Sequence, residues 1–219
     1  IEGEGTLCHR PMSMMVEPLK ELGVAVRDGG GRLPIEVCGP MRGGRVVVDG
    51  HMSSQFVTGL LIALPLVARD TTVEVRGAVS TPYIDMTMET VSRFGVEIMY
   101  NEGDYTEFYI SGNQQYQPVD YTIESDWSAA AIIMVAAAIA GEVTVRNIST
   151  LSRQADTAIC RALERVGASL ILESNSITVK RRELNAFTFD ATQCPDLFPA
   201  LVALAAACDG VSTIYGVER

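Results

Sequence analysis

Three long apolar segments dominate the pattern of hydrophobic and polar positions along this chain. They cover residues 56–68, 129–140 and 197–208, and none of them contains a charged side chain. Each is about two-thirds of the length that a helix needs to cross a bilayer. The pattern therefore predicts three buried helices of a globular core rather than membrane spans.

Each apolar segment follows a short β-rich stretch with an acidic residue near its end, and a few polar residues separate the two. The acidic residues are Asp49, Glu124 and Asp190, which recur at intervals of about 70 residues. This interval is too long for a solenoid repeat and suits a βαβαββ unit. We therefore expect three strands in these positions, each followed by one of the buried helices.

A second repeated element consists of an amphipathic helix, a glycine and two strands joined by a turn. Gly23, Gly95 and Gly167 occupy the position where such a helix ends. In the first copy, apolar residues fall at helical spacing between Met12 and Leu22. The turns are expected at 28–30, 102–104 and 174–175.

Together these patterns predict an α/β (α+β) fold of repeated βαβαββ units. In order, the chain holds a half unit (about 1–40), two full units (about 41–115 and 116–182) and an opening half (about 183–219). The polar stretch 113–120 is the best candidate for a crossing between domains, so we expect domains at 1–120 and 121–219.

Composition narrows the possible partners. The net charge is −10 and the pI is near 4.7, without clustered Lys and Arg, which argues against a nucleic-acid or anionic-membrane surface. Five widely spaced cysteines with no CxxC motif and only two histidines indicate a reduced, cytoplasmic protein without a metal site. The chain starts without Met or a signal-peptide pattern, so we interpret it as an internal fragment.

Polar residues gather at the start of the first apolar helix. Ser53, Ser54 and Gln55 lie where backbone N–H groups and the helix dipole favour an anion. Ordinary helix capping, worth about 1 kcal/mol, is the alternative, and it is a far commoner role for serines at a helix start than ligand binding. The local pattern leaves both interpretations open.

Four segments resemble motifs of one enzyme family: RPM at 10–12, SSQFVTGLL at 53–61, STPYID at 80–85 and CPDLFP at 194–199. The chain is similar, through nearly its whole length, to the 5-enolpyruvylshikimate-3-phosphate synthase (3-phosphoshikimate 1-carboxyvinyltransferase) family. That resemblance implies six βαβαββ units in two lobes, the inside-out α/β barrel of enolpyruvyl transferases, with parts of both lobes present here.

The resemblance also implies an activity. Members of the family join phosphoenolpyruvate to the 5-hydroxyl of shikimate 3-phosphate and release phosphate, in the pathway to chorismate and the aromatic amino acids. No cofactor or metal is implied. The complete protein is expected to be a monomer, whereas the fragment is able to self-associate because its half units leave sheet edges unpaired.

The resemblance assigns site residues position by position. The shikimate 3-phosphate site comprises Ser53, Ser54, Gln55, Ser80, Tyr83 and Asp196, and the phosphoenolpyruvate site comprises Arg10 and Gln55. Asp196 is the candidate acid–base residue. Local readings stay open for each: Arg10 as a solvated arginine, Ser80 and Tyr83 as a capped helix start, and Asp196 as a helix-start carboxylate. For Asp126, at the equivalent place of the preceding repeat, we predict capping only.

Further cationic residues that the family uses do not occur within these 219 residues, so we expect the fragment to be inactive alone. Two alternatives remain. The enolpyruvyl transferase acting on UDP-N-acetylglucosamine shares the fold and a segment like residues 10–23, but not the SSQ and SxPYID motifs. A non-catalytic remnant or binding module would keep the repeats without binding shikimate 3-phosphate.

Overall fold

The computed structural model describes residues 1–51 and 54–217. Contacts within the backbone divide the chain into two compact units, Ile1–Val119 and Asp120–Arg219. Each unit is described by itself.

The first unit contains one complete βαβαββ arrangement. It follows a short helix and a hairpin: α1 (Val16–Glu21), β1 (Ala25–Asp28) and β2 (Ile35–Cys38). The arrangement itself comprises β3 (Arg45–Asp49), α2 (Ser54–Ala63), β4 (Thr71–Arg76), α3 (Thr81–Arg93), β5 (Ile98–Tyr100) and β6 (Glu107–Ile110). The predicted unit at about 41–115 is thus confirmed.

The sheet of this unit has the order β3-β4-β6-β5, with β3 and β4 parallel and β6 antiparallel to both of its neighbours. Its alternating valines face a core shared with the two helices. That core includes Val46, Val48, Val73 and Val75 from the strands together with Leu60, Leu61, Ile84 and Met88 from the helices. Two-residue periodicity in β3 and β4 therefore puts one face of the sheet against α2 and α3.

The second unit repeats the plan with fewer strands. It contains α4 (Trp127–Ala140), β7 (Glu142–Arg146), α5 (Ile159–Val166), β8 (Ser169–Glu173) and β9 (Ser176–Lys180), followed by β10 (Thr188–Asp190), α6 (Phe198–Ala206) and β11 (Thr213–Tyr215). The first three strands form a sheet in the order β7-β9-β8. The last two strands pair in parallel.

One predicted strand is wrong. The residues before α4, at 121–124, form no strand in the part of the chain that the structure describes, and all four are exposed. Ile123 is 84% exposed. A β-rich sequence becomes a strand only where a neighbouring strand accepts its hydrogen bonds, and β7 pairs with β9 instead.

The first amphipathic helix is shorter than its pattern predicts. The apolar spacing suggests a helix from Met12, but residues Ser13–Met15 form a 3-10 turn and the α-helix begins at Val16. Pro18 explains the difference, because it has no N–H to donate to the carbonyl of Met14. A regular α-helix therefore cannot extend through the preceding turn.

The predicted helix ends are confirmed. Gly23, Gly95 and Gly167 follow α1, α3 and α5, each with φ between +81° and +90°. After Gly95, the N–H of Val96 donates to the carbonyl of Val91 at 3.0 Å, which closes the helix with a Schellman motif. Across residues 1–51 and 54–217, no helix has both the length and the apolar character of a membrane span.

Candidate functional site

In the first unit, two helices begin beyond the same edge of the sheet. Strands β3 and β4 are parallel, with Asp49 opposite Arg76 at their carboxyl ends. Helix α2 follows β3 and helix α3 follows β4, so both helix starts lie at that edge. Open α/β sheets bind ligands in this place, because loops and helix N-termini converge there.

The two connecting loops pack closely on each other. The N–H of Gly50 donates to the carbonyl of Arg76 at 2.8 Å, and a Cβ atom on Gly50 would lie 3.0 Å from Cα of Ala78. The backbone N–H of His51 donates to Oδ1 of Asp49 at 3.0 Å, and its Nδ1 lies 2.8 Å from the same oxygen. These hydrogen bonds hold the pKa of the Asp49 carboxyl below its usual range.

Hydroxyl-bearing side chains lie at the starts of α2 and α3 and also where the two helices pack on each other. Ser54 is the first residue of α2, Ser80 immediately precedes α3, and each is only 6% exposed. Oγ1 of Thr58 lies 3.1 Å from Oγ1 of Thr87, which donates at 2.8 Å to the carbonyl of Tyr83. The structure thus brings Ser54, Ser80 and the half-buried Tyr83 to adjacent helix starts.

The capping interpretation of Ser80 is wrong. Within the described part of the chain, its side chain forms no capping hydrogen bond to α3, and its φ is +52°. The carbonyl of Ser80 instead accepts the N–H of Tyr83 at 3.1 Å. A non-glycine residue in the left-handed region is strained, and such residues concentrate at functional sites.

The remaining predicted residues of this unit lie at its surface or cannot be described. Gln55 is exposed on the first turn of α2. Arg10 is exposed after the 3-10 turn Gly5–His9 and forms no ion pair with any residue in the described ranges. Ser53 lies outside the described residues.

In the second unit, Asp196 lies in the 3-10 turn Pro195–Leu197, directly before α6. It is exposed, and its carboxylate accepts no hydrogen bond from the residues that the structure describes. The helix-start position that the sequence predicts is therefore confirmed, but a capping bond is not formed.

The N–H groups at the start of α4 have hydrogen-bond partners within the second unit. Oδ1 of Asp126 accepts the N–H groups of Ser128 at 2.8 Å and Ala129 at 3.3 Å, which confirms the predicted capping. The N–H of Trp127 donates to Oε1 of Gln154 at 2.9 Å. The first backbone N–H groups of this helix are consequently not available to an anion, although the helix holds the equivalent place in the repeat.

Sequence reasoning missed a buried carboxyl group beside this helix start. Asp156 is 0% exposed and accepts a hydrogen bond from Oγ of Ser128 at Oδ2. Burial raises the pKa of this carboxyl, and the negative charges of Asp196 and Asp126 raise it further, against the hydrogen bond from Ser128. The available signal was an acidic residue, between Ala155 and Thr157, shortly before an amphipathic helix.

Neither a reactive thiol nor a metal site is supported by the residues that the structure describes. Burial raises the pKa of the Cys194 thiol to about 11, so it is not a thiolate at neutral pH. All five cysteines, each within the described ranges, are unpaired. Residues 1–51 and 54–217 contain no group of three or more His, Cys, Asp or Glu side chains arranged to hold a metal ion.

Comparison with known proteins identifies the family. The model of the EPSP synthase family (3-phosphoshikimate 1-carboxyvinyltransferase) matches residues 1–219. The chain is 35% identical over 218 residues to the 3-phosphoshikimate 1-carboxyvinyltransferase of Methanocorpusculum labreanum, covering 99% of this chain and 51% of that protein. It is 37% identical to the enzyme of that name from Methanosarcina acetivorans, covering 100% of this chain and 53% of the relative. The chain thus spans about half the length of these curated relatives.

Solved structures show the same fold. An EPSP synthase from Acinetobacter baumannii superposes with a TM-score of 0.74 at 24% identity, over 98% of this chain and 50% of that one. The enolpyruvyl transferase NikO from Streptomyces tendae gives a TM-score of 0.70 at 15% identity, over 94% of this chain and 52% of that one. The fold, the converging helix starts and the match over all 219 residues lead to one conclusion: this chain belongs to the EPSP synthase family.

Proposed function

We propose that this chain is part of a cytoplasmic 3-phosphoshikimate 1-carboxyvinyltransferase and carries residues that bind both of its substrates. The reaction joins phosphoenolpyruvate to the 5-hydroxyl of shikimate 3-phosphate and releases phosphate. The units divided between Val119 and Asp120 belong, in this proposal, to the two lobes of the enzyme.

The observation that carries the proposal is the pairing of two helix starts in the first unit. Because β3 and β4 are parallel neighbours, Ser54 and Ser80 lie at the same edge of the sheet. A phosphate dianion at this edge gains from the helix dipoles and from hydroxyl donors. Ser53, Ser54, Ser80 and Tyr83 are the residues proposed to hold shikimate 3-phosphate.

The other substrate requires a cation. Arg10 is proposed to bind phosphoenolpyruvate through a planar two-pronged contact, which a lysine does not reproduce. Its exposure and lack of an ion-pair partner in the described ranges are consistent with this role. Gln55, exposed on the first turn of α2, is proposed to lie between the two substrates.

Asp196 is proposed as the acid–base residue. As the 5-hydroxyl oxygen bonds to C2 of phosphoenolpyruvate, the carboxylate of Asp196 accepts the hydroxyl proton and the methylene carbon C3 gains a proton, which gives a tetrahedral intermediate. Loss of phosphate from C2 and of a proton from the new methyl group then restores the carbon–carbon double bond. Donors arranged in advance and shielded from water stabilise the charge that develops in such a reaction.

Titration with shikimate 3-phosphate tests the proposal. We expect saturable changes in the ¹H–¹⁵N spectrum of the 219-residue chain, centred on Ser54, Ser80 and Tyr83. Shikimate without the phosphate should bind at least about tenfold more weakly, because the phosphate contacts are lost. Ser80→Ala should weaken binding by a similar factor, and Ser111→Ala, an exposed serine elsewhere in the unit, serves as the matched control.

Two results would contradict the proposal. Unchanged spectra at saturating shikimate 3-phosphate would favour a non-catalytic remnant of the fold. Changes produced by a UDP-sugar but not by shikimate 3-phosphate would favour the enolpyruvyl transferase of cell-wall synthesis.

A further inference from the structure

A polar contact between Asp190 and Thr192 begins the segment that leads from β10 to Asp196. Oδ1 of Asp190 accepts the hydroxyl of Thr192 at 2.5 Å and the backbone N–H of the same residue at 2.9 Å. Asp190 is exposed at the end of β10, so its carboxylate is charged at neutral pH. Hydrogen bonds to a charged acceptor are stronger than those between neutral groups.

Backbone hydrogen bonds continue from this contact to Asp196. The N–H of Ala191 donates to the carbonyl of Tyr215 on β11 at 2.9 Å, and the carbonyl of Ala191 accepts the N–H of Cys194 at 3.0 Å. The carbonyl of Cys194 accepts the N–H of Leu197 at 3.1 Å. Asp196 lies between these last two residues, and both of them are buried. Consecutive hydrogen bonds therefore connect the backbone at Asp196 to β11.

Gly216 packs directly on the hydrogen-bonded pair. A Cβ atom at this position would lie 2.2 Å from Oγ1 of Thr192 and 2.8 Å from Oδ1 of Asp190. The φ of Gly216 is +82°, so both the space and the backbone conformation require glycine. The chain that follows β11 thus lies against the Asp190–Thr192 contact.

The first unit contains the same arrangement in the loop between β3 and α2. Oδ1 of Asp49 accepts the N–H of His51 at 3.0 Å, as Oδ1 of Asp190 accepts that of Thr192 in the second unit. The N–H of Gly50 donates to the carbonyl of Arg76 at the end of β4, which is the place that Tyr215 holds on β11. The two loops are therefore equivalent in structure as well as in sequence position.

This loop arrangement accompanies the helix starts to which substrate contacts are assigned. In the first unit it leads to Ser54, and in the second it leads to Asp196. The middle repeat differs, because residues 121–124 form no strand and Asp126 caps α4 with its own side chain. No substrate contact is assigned to that helix start. The comparison links the loop arrangement to the proposed site rather than to the repeat itself.

We propose that Thr192 is a positioning residue for Asp196: its hydrogen bonds to Asp190 fix the segment 191–197 and thereby the place where the Asp196 carboxylate meets the substrate. This inference rests on the acid–base role proposed above for Asp196. An acid–base residue acts only within hydrogen-bonding distance of the proton that it accepts, so a small displacement of the backbone that carries it lowers its effect.

Hydrogen exchange of the Leu197 N–H tests whether Thr192 fixes the segment. Thr192→Val removes the hydroxyl and should lower the protection of this N–H about fivefold, the effect of one hydrogen bond. Thr192→Ser keeps a hydroxyl and should restore the protection. The matched control is Thr144→Val, which removes a hydroxyl that lies 2.8 Å from Oγ1 of Thr178 in the same unit. Unchanged protection in Thr192→Val would overturn the proposal.

A double-mutant cycle separates positioning from a general structural role. Thr192→Val should weaken binding of shikimate 3-phosphate to the 219-residue chain about fivefold, and Thr192→Ser should bind like the wild type. In a chain that already carries Asp196→Ala, Thr192→Val should have no further effect, because the residue that it positions is absent. Equal losses in both backgrounds would show that Thr192 acts independently of Asp196 and would overturn the inference.

Failure of the proposed function gives a different result in the same cycle. An affinity for shikimate 3-phosphate that Asp196→Ala leaves unchanged would contradict the role of Asp196 itself. A loss in Asp196→Ala combined with an equal, additive loss in Thr192→Val would contradict only the positioning role of Thr192.

Discussion

The imidazole ring of His51 lies directly against Gly77: a Cβ atom on this glycine would come within 2.0 Å of Cε1 of the ring. His51 belongs to the loop between β3 and α2, and Gly77 begins the loop between β4 and α3. The φ of Gly77 is +64°, so both the available space and the backbone conformation require glycine. This contact holds the two loops together at the edge where the helix starts converge.

Gly77→Ala should therefore destabilise the first unit by about 1–3 kcal/mol, since the added methyl group displaces His51 and the backbone is strained. It should also weaken binding of shikimate 3-phosphate. Urea unfolding followed by circular dichroism gives the first effect, and titration calorimetry gives the second.

Gly59→Ala is the matched control in the same unit. Gly59 lies exposed within α2, and a Cβ atom there meets nothing within 4 Å. Alanine should stabilise the helix by about 0.5–1 kcal/mol. Equal effects of the two substitutions would contradict the packing that we describe for His51.

The cap of α4 gives a second prediction. Asp126→Ala should lower the free energy of unfolding of the second unit by about 1 kcal/mol, because the N–H groups of Ser128 and Ala129 lose their acceptor. Trp127 is the only tryptophan and is buried next to the cap, so its fluorescence reports the transition. Asp120→Ala, at an exposed position, should leave the transition unchanged; an equal loss there would contradict the capping role.

Thiol chemistry should distinguish the cysteines. At pH 8, Cys38, which is exposed at the end of β2, should react rapidly with a thiol reagent. Cys194 should react at least about a hundredfold more slowly, because it is buried and its pKa is raised to about 11. Mass spectrometry locates the modified residues, and urea should abolish the difference. Rapid modification of Cys194 in the folded chain would show that the site is open to solvent.

The 219-residue chain alone should give no detectable product from shikimate 3-phosphate and phosphoenolpyruvate. It carries a net charge of −10 and spans about half the length of its relatives, whereas the proposed reaction requires that two phosphorylated substrates be stabilised. Phosphate release, measured with and without the chain, tests this expectation. Turnover that Arg10→Ala abolishes would overturn it.

The spacing of apolar residues along the chain predicted most of the helices and strands. It did so because a helix or strand that buries one face must repeat apolar residues at its own structural period. The alternating valines of β3 and the uncharged run of α2 need a shared core, and Gly95 and Gly167 end their helices by local backbone geometry. Residues 121–124 show where this reasoning fails. Their sequence is β-rich, but strand formation depends on a neighbour distant in the chain, which no local pattern specifies.

The candidate site was predictable in part. Motif resemblance pointed to Ser54, Ser80 and Asp196, whereas it gave no indication of Asp156, whose significance arises from burial. Local patterning also suggested a capping role for Ser80 that the backbone conformation does not support.

Local patterning was enough to establish the repeated helix–strand plan, the helix ends and the family, since these depend on residues close together in the chain or on recognisable motifs. Long-range packing was needed to establish which strands pair, which loops touch and which carboxyl group is removed from water. Hydrogen bonds, burial and charge act between groups that are neighbours in space. The ring of His51 over Gly77 and the hydroxyl of Ser128 on Asp156 therefore become evident only once the chain is folded.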